Sequence, residues 1–161
     1  MVRYMDRHMC EGRKGKRIRV CYPGAGVADV EERLDRVVRG SGENTTVLIH
    51  VGSNDVSKFH SEELLNRYKK LVLTLRNTRR KGILTGILPC IWRREEWSSR
   101  ALGINQRVRA LCKANDVLFV DLWDDFYGKD VLYRQDGRHL SKQGDIIFAR
   151  MLEKILRGAG N

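Results

Sequence analysis

Along this chain, short apolar runs alternate with longer stretches in which apolar residues return every three or four positions. The runs are RIRVCY (17–22), TTVLIHVG (45–52), GILTGILP (82–89) and DVLFVDL (116–122). Each has strand length, carries β-branched residues and is bounded by turn-forming or charged residues. Their nearly unbroken apolar character predicts strands covered on both faces, as in a parallel sheet. Between them, Val27, Val30, Leu34, Val37 and Val38 recur at helical spacing, with Asp29, Glu31 and Glu32 near the start, where the helix dipole favours acids. A second helix is predicted from Ser61, read as its N-cap, through Glu62 and Glu63 to the basic end at Arg79, Arg80 and Lys81. Two more are predicted over 98–116 and 141–158, the last with Ile146, Ile147, Ala149, Met151, Leu152 and Ile155 as its apolar positions. Alternation of this kind predicts a three-layer α/β/α sandwich whose functional loops lie at the carboxyl ends of parallel strands. One irregularity stands at the beginning: 2–9 (VRYMDRHM) reads as a helix with no strand before it to complete a βα unit.

Length and composition narrow this picture. A chain of 161 residues fits one domain, 1–161, with 42% hydrophobic residues and only two prolines. No apolar run approaches the roughly 20 residues that span a bilayer, and the N-terminus lacks a signal-peptide core, so an intracellular, cytoplasmic protein is expected. The four cysteines form no CxxC pair and have no histidine at zinc-finger spacing. They are expected to be reduced and mostly buried, with no metal site and no cofactor. A net charge of +11 favours acidic partners, nucleic acid among them, although basic residues spread over solvated helix faces raise the charge equally well.

Three clusters fall just past strand ends. Tyr22-Pro23-Gly24-Ala25-Gly26 opens a helix with exposed backbone N–H groups, as an anion site or simply as a tight turn. His50-Val51-Gly52-Ser53-Asn54-Asp55 places an amide donor and a loop-holding carboxylate together, while His50 itself reads as a core or edge residue. Asp136-Gly137-Arg138-His139 sets a carboxylate three residues before an imidazole, a spacing that lets the acid fix the tautomer and leaves the other ring nitrogen as a base. A surface histidine after an Asp-Gly turn is the plainer alternative.

In this order, the GAG turn, HVGSNDV and DGRHLSKQG resemble three of the sequence blocks of the SGNH (GDSL-like) hydrolase family. The chain is most similar to the esterase-type domains of vertebrate non-LTR retrotransposons. The resemblance implies the family's flavodoxin-like α/β fold and a Ser-His-Asp mechanism on acyl or acetyl esters. It assigns His139 as base, Asp136 as its orienter, Gly24 and Asn54 as oxyanion donors, and Gly52 and Asp55 as loop support. Trp92, in PCIWRREEWSSR (89–100), is expected on a substrate-facing loop. Small acyl esters or lipids are the implied partners. The family's nucleophile sits in a Gly-Asp-Ser block at the end of a first strand, and this sequence contains no Gly-Asp-Ser. That implies a domain truncated before Met1, lacking its first strand and inactive as written. Ser53 is a poor substitute, because a nucleophile must reach its base and the oxyanion donors together.

A competing reading is a non-catalytic basic module for RNA, DNA or anionic lipid, with Tyr68, Trp92, Trp97, Arg93, Arg94 and Arg100 forming a stacking and phosphate surface. A dinucleotide-binding fold is disfavoured, since PGAGVAD lacks the third glycine that close pyrophosphate approach needs. Oligomeric state has no signature in the sequence.

Overall fold

The computed structural model describes residues 18–91 and 95–159. In chain order they form α1 (Val27–Val38), β1 (Thr46–His50), α2 (Ser61–Asn77), β2 (Lys81–Thr85), α3 (Glu95–Lys113) and β3 (Leu118–Val120). The short helix α4 (Trp123–Phe126), a 3-10 turn (Asp130–Leu132) and α5 (Lys142–Ala159) follow. The strands make one parallel sheet in the order β1-β2-β3, with Thr46 opposite Lys81, His50 opposite Thr85, Ile83 opposite Leu118 and Thr85 opposite Val120.

Strand alternation distributes the core over both faces. Val47, Ile49, Leu84 and Phe119 pack with α1, α2 and α3, while Leu48 and Val120 pack with α4, the 3-10 turn and α5. The outcome is the expected three-layer α/β/α sandwich. No helix among the described residues is long and apolar enough to cross a membrane.

Several boundaries differ from the expectation. Residues 18–22 form no strand, and Ile18 and Val20 are 68% and 43% exposed. A strand's backbone groups need a ladder partner, and none of the described strands pairs with this segment. Three strands therefore stand among the described residues, not four, and β1 is paired along one edge only. The apolar run at 82–89 is a strand only to Thr85; residues 86–90 are buried loop. Apolarity there reflects burial, not pairing. Ser61 is the first helical residue of α2, with His60 at the N-cap. The predicted helix over 2–9 lies outside the described residues, as do Cys10, Trp92, Arg93 and Arg94. Cys90 and Cys112 are buried and Cys21 is exposed.

The Gly86 N–H still reaches β3, donating to the Val120 carbonyl at 2.9 Å, but Ile87, next along the buried loop, needs other hydrogen bonds. Asn105, 2% exposed on α3, provides them: its Oδ1 accepts the Ile87 N–H at 2.8 Å and its Nδ2 donates to the Ile87 carbonyl at 3.0 Å. At the opposite end of the sheet the Arg80 guanidinium fastens the α1–β1 loop. It donates to the Ser41 hydroxyl at 2.8 Å, to the Ser41 and Val38 carbonyls at 2.7 and 3.2 Å, and to the Thr78 carbonyl at 2.8 Å.

Replacing Asn105 by Leu strands two buried backbone groups, so Asn105→Leu is expected to lower unfolding stability by about 2 kcal/mol in a urea titration. Breaking the exposed Arg107–Glu62 pair with Arg107→Gln is expected to leave the urea midpoint indistinguishable from wild type, because solvent screens the pair.

Candidate active site

All three sequence clusters lie at the carboxyl end of the sheet, where parallel topology gathers loops. The first cluster leads into α1. The Ala25 N–H donates to the Tyr22 carbonyl at 3.2 Å across an exposed turn in which Gly24 has φ +76°. The Gly26 N–H donates to Asp29 Oδ2 at 2.7 Å, half of a capping box, and this bond holds the Asp29 carboxyl below its usual pKa. The Val27 N–H, one of the orphan donors of the first turn, donates to Asp55 Oδ2 at 3.1 Å.

Asp55 belongs to the second cluster, so it binds the β1–α2 loop to the start of α1. It is buried, and burial pushes its carboxyl pKa up while the Val27 N–H pulls it down. Gly52 is required here twice over. It has φ +117°, and a Cβ would collide with the Tyr68 hydroxyl, which donates to the Val51 carbonyl at 2.8 Å. Tyr68 is therefore a core residue fully engaged in holding the loop, not part of a stacking surface. Trp97 likewise packs partly buried against the α1–α2–α3 core.

With the loop fixed at Gly52 and Asp55, Asn54 between them is directed outward. Its Nδ2 donates to the Ala25 carbonyl at 3.0 Å, next to Gly24. Its Oδ1 accepts from Nη2 of Arg138 in the third cluster, 84 residues away.

That third cluster is a small loop with its own scaffold. The Arg134 N–H donates to the His139 carbonyl and the Gly137 N–H to the Arg134 carbonyl, each at 2.8 Å. The Gly137 carbonyl in turn accepts from the Ile91 N–H at 2.9 Å and Cys90 Sγ at 3.1 Å, and the Tyr133 hydroxyl donates to the Pro89 carbonyl at 2.8 Å. The loop is thereby docked on the segment that follows β2, at residues 89–91. Beyond it, Ser141 caps α5: its Oγ accepts the Gly144 N–H at 3.1 Å and donates to the Val131 carbonyl at 2.8 Å. Gly144 lets α5 lie against the 3-10 turn, where a Cβ would overlap the Leu132 carbonyl.

Within this frame Asp136 faces His139 as the spacing predicts. Asp136 Oδ2 lies 2.7 Å from His139 Nδ1, while Oδ1 accepts the N–H groups of His139 and Arg138 at 2.8 and 2.9 Å. The His139 N–H, then its ring, then the Arg138 N–H hold the Asp136 carboxyl well below the usual carboxylate range. Acceptance by the carboxylate places the proton on Nδ1 and leaves Nε2 with an open lone pair. Both side chains are 50% exposed, so the pair opens to solvent instead of sitting in a closed cavity.

His50 lies apart from this arrangement. Its Nδ1 is 2.8 Å from the Thr85 hydroxyl on the neighbouring strand, and its ring meets Phe148 of α5 edge-on at 4.9 Å. Burial lowers its pKa to about 4. Among the described residues no group of three His, Cys, Asp or Glu side chains could hold a metal ion. Arg138, which joins the third cluster to the second, and Asn105 and Ser141, which fix the neighbouring loop and the start of α5, carried no reading in the sequence analysis. A Ser three residues before a Gly at a helix start was the available signal for Ser141; nothing local marks the other two.

An α/β sandwich thus carries an acid–imidazole pair and an amide side chain together at the carboxyl end of its sheet. This chain belongs to the GDSL-like lipase/acylhydrolase family, whose model matches residues 2–145. It is similar to the esterase domain of the ORF1 protein of the zebrafish ZfL2-1 retrotransposon, at 31% identity over 94% of this chain and 93% of that one, with a TM-score of 0.57. A GDSL-like lipase of Bacteroides thetaiotaomicron shares the fold at a TM-score of 0.71 and 24% identity, covering 84% of this chain and 73% of its own. So does an acetylxylan esterase of Geobacillus stearothermophilus, at 0.68 and 20%, covering 81% and 67%. No curated protein matches.

The depressed pKa of His50 has a definite sign in stability. The unfolded ring takes its proton near 6.5 and the native one near 4, so the contribution of the neutral ring is complete above about pH 6.5 and is lost as pH falls toward 4. Between pH 7 and pH 5, wild-type protein is expected to lose on the order of 1 kcal/mol more unfolding stability than His50→Gln in parallel urea titrations.

Proposed function

We propose that this chain provides the base, orienting acid and oxyanion donors of an esterase that cleaves acyl or acetyl esters. One observation carries the reading: Asn54 bonds at once to the Gly24–Ala25 turn and to the Asp136–His139 loop, so three clusters distant in sequence share one surface.

In the reaction His139 Nε2 takes the proton of an attacking hydroxyl while Asp136 holds Nδ1–H and steadies the imidazolium that forms. The hydroxyl oxygen bonds to the ester carbon, and the carbonyl electrons move onto oxygen. The second Nδ2 hydrogen of Asn54 and the exposed N–H of Gly24 are the donors for that oxyanion. Collapse of the tetrahedral species breaks the bond to the alkoxy oxygen, which takes from His139 the proton the attacking hydroxyl gave up, and water then cleaves the remaining acyl ester by the same steps. Gly52 and Asp55 act by fixing the loop that aims Asn54. The attacking hydroxyl would come from a Gly-Asp-Ser serine, which this sequence does not contain. The chain as it stands is accordingly proposed to form no serine acyl-enzyme.

The basic-module reading draws less support, because Tyr68 is buried and Trp97 packs against the core.

The test is a version extended before Met1 by a strand ending in Gly-Asp-Ser. It is expected to hydrolyse p-nitrophenyl acetate, with kcat reduced at least about 100-fold by His139→Ala and by a similar factor in Asn54→Ala. The unextended chain is expected to resist labelling by a fluorophosphonate probe. Hydrolysis in the extended protein that is indifferent to His139→Ala would overturn the assignment.

A further inference from the structure

We propose that Arg138 makes this site selective for esters that carry an anionic group close to the scissile bond. The inference rests on the ester-hydrolase reading above and adds to it the charge of the substrate.

Arg138 stands between the orienting acid and the base in sequence, and its backbone is pinned by donation of its N–H to Asp136 Oδ1. The side chain, half-buried, turns toward the second cluster and donates one N–H from Nη2 to Asn54 Oδ1. That acceptor is a neutral amide. A guanidinium has five N–H donors and a permanent charge, so this contact satisfies a fraction of its capacity and none of its charge.

Neutralisation does not come from elsewhere among the described residues. Arg67, Arg107, Arg109 and Arg157 each pair with a carboxylate, whereas Arg138 forms no such pair. Asp136, its nearest carboxylate in sequence, directs its oxygens to the backbone N–H groups of Arg138 and His139 and to the imidazole. The guanidinium is thus a fixed cation beside the oxyanion donor and adjacent to the general base.

Orienting Asn54 alone would not call for a cation, since a glutamine amide presents an N–H equally well. What the guanidinium adds is a planar fork matching a carboxylate or phosphate oxygen pair. An ester with such a group a few bonds from its carbonyl places the anion on the free edge of the fork and the carbonyl oxygen at Asn54. A neutral ester leaves the half-buried charge without a partner.

Binding to the unextended chain tests this without turnover. Monomethyl succinate and its uncharged counterpart dimethyl succinate would be titrated at low ionic strength, following the ¹H–¹⁵N signals of the Asn54 amide and the His139 ring. Monomethyl succinate is expected to bind about ten-fold or more tightly than the diester, as a charge-assisted pair implies. The preference should fall below about two-fold in Arg138→Gln, be weakened but retained in Arg138→Lys, which keeps the charge and loses the fork, and persist in full in Arg76→Gln, which removes an equal charge from the exposed end of α2. Equal binding of the two esters, a preference that survives Arg138→Gln, or one that Arg76→Gln abolishes equally would overturn the proposal. Any of these results leaves the hydrolase reading standing, since that depends on His139-dependent turnover in the extended protein.

Discussion

The side-chain amide of Asn54 is the point on which this arrangement depends. It donates to one loop and accepts from another, and the three segments it joins lie near residues 25, 54 and 138. Parallel strands deliver loops to one end of the sheet, but topology alone positions them only to within several ångströms. Hydrogen bonds of defined length do the rest. Asp55 and Gly52 on either side of Asn54 leave its backbone little freedom, one bonded to the start of α1 and the other pressed against Tyr68. The amide is therefore presented in a single orientation without ordering entropy being lost at the moment of binding.

The groups that hold this end of the molecule are mostly buried and neutral, or backbone. Asn105 satisfies Ile87, Tyr68 satisfies Val51, Tyr133 satisfies Pro89, and the Gly137 carbonyl accepts from both Ile91 and Cys90. Leaving any one of them unsatisfied costs more than breaking an exposed ion pair, because a buried donor or acceptor forfeits its water without replacement. The Asp136–His139 pair is the exception in being half exposed. Its order comes from the two backbone N–H groups that grip the carboxylate, not from burial. A rigid scaffold under an open charged pair suits a site that must meet substrate from solvent.

Much of this was legible in the sequence, and the reasons for the failures are physical. The alternating apolar runs gave the layers because strands covered on both faces cannot carry polar residues. They overstated the strands because residues 86–90 are as buried as a strand while, past Gly86, their hydrogen bonds go to Asn105, Tyr133 and Gly137 instead of a ladder. Residues 18–22 have strand composition, yet a strand exists only where a neighbour completes its ladder, and composition does not record neighbours. Asp136 and His139 could be paired from their spacing, since both groups lie in one turn. Arg138 could not, because its partner is 84 residues distant and an arginine between an acid and a histidine looks like any solvated charge. Only the competing basic-module reading puts Tyr68 on a surface, and what decides against it, the glycine opposite its hydroxyl, lies 16 residues away in sequence.

The central claim is that the three clusters meet at Asn54. The most direct measurement is a ¹⁵N-edited NOESY spectrum of the unextended chain, read at the Asn54 side-chain amide. Cross-peaks to Ala25 and to the Arg138 side chain, with the two amide protons well separated in shift, are the predicted result. An Asn54 amide at unstructured shifts, with cross-peaks only to Ser53 and Asp55, would contradict it.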